Sequence, residues 1–190
     1  MSAVMQVVQR VPPVLRRMVD QVVGDHALRV AVLASALASW TGTDAADAAL
    51  AGFLHDVGKA SIPRFLLEKP GPLTPEERSV MCGHVSEGVR LILAFWPDVP
   101  AAVVAGVAGH HERLCGTGYP LGVRHLGDVA AVVAVADVYD ALTMDRVYRP
   151  ALGPREALAQ LEREHLPPGP VAALGAHLGF GTLPVDVPDA

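Results

Sequence analysis

The sequence predicts an all-α fold built as a single helical domain. Three observations carry that expectation. Apolar residues recur at helical spacing along most of the chain, and no stretch shows the strict alternation of a half-buried strand. Helix-start signatures head several of the periodic segments, the strongest being Thr74-Pro75-Glu76-Glu77. A chain of 190 residues with 51% hydrophobic content is long enough for one sizeable core.

The elements follow in order. Residues 1–25 are expected to supply an N-terminal helix from about Pro13 to Val23, with proline where its missing N–H costs nothing. Gly24-Asp25 opens a second helix, His26 to Trp40, apolar at Val30, Leu33, Ala34 and Leu37. Thr43-Asp44 caps a third that ends near Val57-Gly58. Residues 62–72 form a Pro- and Gly-bearing connection with room for one helical turn. Thr74 as cap, Pro75 at the first position and a glutamate closing a capping box start a helix that should reach Phe95, where Pro97 stops it. Another runs from Val99 to His110 or His111, and residues 116–127, rich in glycine and proline, form a loop. Asp128 to Met144 is the core helix, apolar on almost every face, and a further helix covers Pro154 to Glu164. Residues 166–190 read as a tail, broken at Pro167 to Pro170, with room for a short helix and a frayed end.

Composition narrows the function. A formal net charge of −5 argues against binding a long nucleic acid, though a small nucleotide can be held by a local cluster of cations. Cys82 and Cys115 make no disulfide framework, which fits a reducing compartment. Met1 to Arg10 has no basic leader region, and no apolar run reaches the roughly 18 residues of a membrane helix. A cytoplasmic protein without a membrane segment is expected.

Five histidines and two aspartates stand out against this apolar background: His26, His55-Asp56, His84, His110-His111 and Asp137. A buried imidazole or carboxylate is costly unless something pairs with it, so seven of them converging on one core imply metal ions. Imidazole with carboxylate and no thiolate suits iron or manganese, and zinc less specifically. The adjacent pairs suggest more than one ion, since one aspartate can bridge two. Neighbours on a helix point about 100° apart, so His55 and Asp56 reach one site only at a helix end or bend, which Gly58 supplies. Lys59 then lies one turn beyond the metal, aimed at an anion. Asp137 is the hardest to explain otherwise, for it follows the buried run Ala130 to Ala136, where a carboxylate needs a cation or several donors. Asp140 shares its face at i,i+3 and reads as a hydrogen-bonding support. His125, His165 and His177 lack such surroundings and read as surface residues.

Taken together, the motifs form an ordered set over residues 26–158: His26 with Arg29-Val30; His55-Asp56-Val57-Gly58-Lys59; Lys69-Pro70-Gly71 with Leu73-Thr74-Pro75-Glu76-Glu77 and His84; His110-His111-Glu112-Arg113 with Gly116-Thr117-Gly118-Tyr119-Pro120; and Ala136-Asp137-Val138-Tyr139-Asp140-Ala141-Leu142-Thr143. In these the chain resembles the HD superfamily of metal-dependent phosphohydrolases and, within it, the HD-GYP branch of cyclic di-GMP phosphodiesterases. The resemblance implies a catalytic domain over residues 26–165. It implies that His26, His55, Asp56 and Asp137 hold one metal and that Asp56, His84, His110 and His111 hold a second, with Asp56 bridging. It further implies catalytic roles for Asp56 and Lys59, and substrate contacts from Lys59, Tyr119, Arg146 and Arg149. The naming motif falls on Gly118, Tyr119 and Pro120.

There are departures. Val22 stands where some members carry a glutamate for a third metal, so two divalent ions are expected, iron or manganese. Cys115 replaces an aspartate ahead of the Gly-Tyr-Pro motif, the stretch from Pro120 to Asp137 is about two residues short, and Ala131 replaces a common arginine. The expected activity is hydrolysis of cyclic di-GMP to pGpG or GMP by a metal-bridging hydroxide. The alternatives are an HD-superfamily phosphohydrolase acting on another cyclic dinucleotide or nucleotide, and a weakly active signalling or docking module. Protein partners are expected at the Gly-Tyr-Pro loop, and a homodimer is a further expectation.

Overall fold

In the computed structural model, residues 3–145 and 150–181 are described, and among them there are helices and connections but no strand. The helices are α1 Ala3–Val8, α2 Pro13–Val22, α3 Asp25–Thr41, α4 Ala45–Leu54, α5 Arg64–Leu67, α6 Pro75–Cys82, α7 His84–Phe95, α8 Ala101–Gly109, α9 Asp128–Thr143, α10 Pro154–Leu161 and α11 Pro168–His177. No single helix among the described residues is long and apolar enough to cross a membrane.

α9 is the axis of the fold. Every residue from Val129 to Ala136 is buried, and α3, α4 and α8 pack around it, with α10 and α11 against its outer side. Alanine and valine dominate these contacts: Ala27, Val30, Ala31, Ala34 and Ala38 on α3, and Ala48, Ala49 and Ala51 on α4, are all inaccessible. Short side chains let helix backbones approach closely, and the gain comes from dense packing. α4 starts as the sequence indicates, with Asp44 accepting the amides of Ala46 and Asp47 at 2.8 and 2.9 Å. Thr74 and Glu77 form the reciprocal capping box of α6.

The structure departs from the sequence reading at four places, each with a local cause. An additional helix, α1, precedes α2, and Val8, Val11, Leu15 and Val19 from this region join the main core. α4 stops at Leu54, three residues earlier than the reading, so that His55 and Asp56 fall in the turn beyond it. The long helix expected over residues 75–95 is broken at Gly83, where the His84 imidazole takes the Met81 carbonyl at 2.8 Å, an acceptor that an unbroken helix gives to the Val85 amide. Pro167 to Pro170 begins α11 rather than breaking the chain. Prolines in a first turn replace N–H groups that have no helical partner, and Val171, Ala173 and Leu174 then bury against α3 and α9.

Candidate metal centre

Three helix ends build the floor of the site. His55 follows the end of α4, His84 opens α7 at the break after α6, and His110 follows the end of α8. Each donates its ring Nδ1–H to the main-chain carbonyl three residues earlier: Gly52 at 2.7 Å, Met81 at 2.8 Å and Val107 at 2.7 Å. A carbonyl only accepts, so the proton sits on Nδ1 and the lone pair on Nε2. The three Nε2 atoms, together with Asp56 Oδ1, are buried without a hydrogen-bond partner. His84 Nε2 even approaches Asp56 Oδ1 to 3.2 Å. Acceptor facing acceptor in a buried place is unfavourable unless a cation lies between them, so the donor set fits metal ions.

The donors fall into two groups whose atoms lie within 4.8 Å of one another: Asp56, His84, His110 and His111 in one, and His26, His55 and Asp56 in the other. Asp137 closes the second group, with its Oδ1 at 3.2 Å from His26 Nε2 and 3.8 Å from His55 Nε2. Asp56 belongs to both. It can sit there because Gly58 lets the turn after α4 press against α7: a Cβ at Gly58 would stand 1.9 Å from the His84 carbonyl oxygen. All seven side chains picked out in the sequence therefore meet at one place. Five of them, His26, Asp56, His84, His111 and Asp137, line an open cavity of about 710 Å³ together with Tyr119, while His55 and His110 are fully buried.

Of the other residues singled out, Lys59 lines the same cavity and its Nζ pairs with Asp56 Oδ2. The Tyr119 ring lies over His111, with centroids 4.5 Å apart and planes 30° from parallel. Gly118 permits this, since a Cβ there would stand 2.5 Å from Glu112 Cα, and the Tyr119 amide donates to the His111 carbonyl at 3.2 Å. Pro120 continues the loop and is exposed. Arg146 and Arg149 lie outside the described residues. His125, His165 and His177 are exposed, as their surroundings in the sequence suggest.

Two supports hold the ligands in place. Asp140 accepts from His26 Nδ1 at 2.6 Å and is gripped by Arg29 through Nε at 2.7 Å and Nη2 at 3.0 Å. Glu112, buried, accepts the amides of Leu121, Gly122 and Val123, tying down the loop that carries Tyr119. Sequence reasoning quoted Glu112 only as part of a motif and missed this role. The available signal was a glutamate directly ahead of a glycine-rich loop, whose amides need acceptors.

The electrostatics prepare the site for cations. Burial acts to raise the Asp56 carboxyl, but His55 and Lys59 outweigh it and hold it well below the usual carboxylate range. Asp137 is likewise held down, by His26 and His55 against burial. Burial and the neighbouring histidines keep His110 far below its ordinary value, and burial brings His111 down to about 3, so both are neutral donors. His26 is the opposite case: burial lowers it, yet hydrogen bonds to Asp137 and Asp140 push it up to about 9. The Tyr119 hydroxyl, raised by burial and by the nearby carboxylates, stays protonated.

Comparison with known proteins shows the family. A family model described as the HD domain matches residues 4–166. A cyclic di-GMP phosphodiesterase of Pseudomonas aeruginosa is 42% identical over 117 residues, covering 60% of this chain and 28% of that protein. A 3'3'-cGAMP-specific phosphodiesterase of Vibrio cholerae is 34% identical over 177 residues, covering 87% of this chain and 34% of that protein. The chain thus spans about a third of the length of the curated relatives it matches. Among solved structures, Bd1817, an HDG"Y"P protein from Bdellovibrio bacteriovorus, superposes with a TM-score of 0.64 at 26% identity, over 81% of this chain and 51% of that one. The HD domain of the Listeria monocytogenes phosphodiesterase PgpH, in complex with cyclic-di-AMP, shares the fold at a TM-score of 0.59 and 16% identity, over 94% of this chain and 96% of that one.

Proposed function

The chain belongs to the HD domain family, and from that premise we propose that it is a metal-dependent phosphodiesterase that hydrolyses cyclic di-GMP. The observation that carries this reading is the shared Asp56: two groups of nitrogen and oxygen donors meet at one carboxylate, and their buried lone pairs have no hydrogen-bond partner. The donors fit two divalent ions, and the absence of thiolate among them favours iron or manganese. His26, His55, Asp56 and Asp137 would hold one ion, and Asp56, His84, His110 and His111 the other. Such ions supply Lewis acidity, acidifying a water nucleophile and neutralising charge on phosphoryl oxygens. The protein's own groups do the rest. Asp56 and Asp137 fix the charge balance, and with Asp56 engaged by cations the Lys59 ammonium is free to meet a phosphoryl oxygen in the same cavity. Tyr119, a neutral phenol on the cavity wall, offers a ring face and a hydroxyl donor to the nucleotide. Arg146 and Arg149 are proposed as further substrate contacts.

A second reading has a specific observation in its favour. The Vibrio cholerae relative that covers 87% of this chain is named for 3'3'-cGAMP, and Cys115 alters the loop beside Tyr119. The cavity then serves a different cyclic dinucleotide. One experiment tests both. Protein loaded anaerobically with iron or manganese is analysed for metal and assayed with cyclic di-GMP, 3'3'-cGAMP, cyclic di-AMP and bis(p-nitrophenyl) phosphate. About two ions per chain and preference for cyclic di-GMP are expected, with Asp56→Ala losing both the ions and turnover. A single ion per chain, or turnover that survives chelation, refutes the two-metal reading. Preference for 3'3'-cGAMP selects the alternative.

A further inference from the structure

Arg29, Lys59 and Arg113 are the fixed cations on the wall of the cavity among the described residues, and they differ in what they hold. Arg29 is spent on Asp140 through two nitrogens. Lys59 is drawn onto Asp56. Arg113 has no carboxylate partner among the described residues; its Nη1 donates to the main-chain carbonyls of His110 at 3.2 Å and Glu112 at 2.8 Å. Those two bonds anchor one corner of a planar guanidinium that carries five N–H donors. They come from the main chain beside two metal ligands, so the group is placed by the same turn that places His110 and His111. Its charge is also felt at the Tyr119 hydroxyl, whose ring covers His111.

We propose that Arg113 is a substrate-contact residue of this cavity, binding the phosphate of a cyclic dinucleotide that is not being cut. The inference rests on the cyclic-dinucleotide reading above. Such a substrate carries two phosphodiesters on one ring. The metal ligands gather around one of them, and the other remains a full negative charge that must be met within the same cavity. A guanidinium held through Nη1 alone, on the wall of the cavity and with its other donors not given to a carboxylate among the described residues, suits bidentate capture of a phosphate. Its anchor is main chain, so little side-chain entropy is lost when substrate arrives. A small diester with a single phosphate gains nothing from it. Arg113 thereby favours substrates with two phosphates over those with one.

The test uses the metal-loaded protein and two variants. Arg113→Gln keeps a donor for the carbonyls and removes the charge; Arg113→Lys keeps a point charge and removes the fork. With Arg113→Gln, KM for cyclic di-GMP should rise about 10-fold or more. Metal content should be unchanged, and kcat/KM for bis(p-nitrophenyl) phosphate should stay within about twofold. Arg113→Lys should show a smaller rise in KM, again on cyclic di-GMP alone, and it decides the matter if the glutamine variant does not fold. Equal losses on both substrates, or no change in KM for cyclic di-GMP, would show that Arg113 only closes the end of α8 and overturn the proposal. A wild-type protein that cleaves the small diester but no cyclic dinucleotide would overturn the substrate reading itself, and the phosphate assignment with it.

Discussion

Replacing Glu112 by glutamine isolates what its buried carboxylate does for the loop that carries Tyr119. The side chain is 2% exposed. Oε1 accepts the amides of Leu121 and Gly122 at 2.7 and 3.2 Å, and Oε2 accepts Val123 at 3.0 Å. A glutamine of the same shape keeps one oxygen and turns an NH2 group toward the remaining amide. If the oxygen stays on Leu121 and Gly122, each of those bonds loses its charge assistance, falling from about 1.5–3 to about 0.5–1.5 kcal/mol. The NH2 then meets the Val123 amide donor to donor, and a buried donor left unsatisfied costs about 1–3 kcal/mol. The total is about 3–6 kcal/mol. The lower end is expected, because Val123 is 39% exposed and its amide can turn to water. A chain of this size loses about 2–4 °C in Tm per kcal/mol, so about 3 kcal/mol should lower Tm by about 6–12 °C. Calorimetry on metal-loaded wild type and Glu112→Gln measures it, and trypsin supplies a local readout through faster cleavage after the exposed Arg124. A shift under about 2 °C with unchanged cleavage would refute the reasoning, since the loop would then be held by something other than this carboxylate.

Two further outcomes follow. Asp140→Asn keeps the size of the group but weakens its hold on both His26 and Arg29, so metal affinity at the group containing His26 should fall about 10–100-fold while the group containing His84 is spared; equal loss at both would show a general loss of structure, and titration of the metal-free protein resolves the two. The third concerns protons. His26 stands at about 9 in the metal-free protein against an ordinary 6.5, so its stabilising contribution is complete below pH 6.5 and is lost as pH rises through about 9. Chelator-treated protein should therefore lose Tm across that interval, and metal uptake within it should release protons, seen calorimetrically as a heat that varies with the buffer. Uptake with no proton release between pH 6.5 and 9 would contradict the placement of that proton.

Much of this was legible in the sequence for one reason: burying charge is costly. Asp137 at the end of an unbroken Ala and Val run needs a partner, and seven such residues in apolar surroundings point to cations without any coordinates. The caps at Asp44 and Thr74 were legible because a capping side chain acts within three residues. What escaped was set by tertiary contact. The break at Gly83 follows from where the His84 ring goes, and periodicity alone carries a helix straight through it. α11 was legible only as room for a short helix in the tail, because its prolines read as a break and the apolar face of Val171 and Leu174 that buries against α3 and α9 was not weighed. Glu112 escaped because its partners are nine to eleven residues away and are main-chain amides, which leave no mark on side-chain pattern.

The bonds from His55, His84 and His110 to carbonyls three residues back bear on how such a centre tolerates change. Every residue carries a carbonyl, so these three bonds ask for no particular side chain at positions 52, 81 or 107; what limits position 52 is packing, since a Cβ there would stand 3.0 Å from Ala31 Cα. The unit of helix end plus histidine is portable: a designer could place it on another helical scaffold without bringing its neighbours. His26 is different, because its orientation depends on Asp140 and, through it, on Arg29. Substitution at any one of those three positions exposes the other two, so a transplanted centre would need them moved together, as a single cassette spanning α3 and α9.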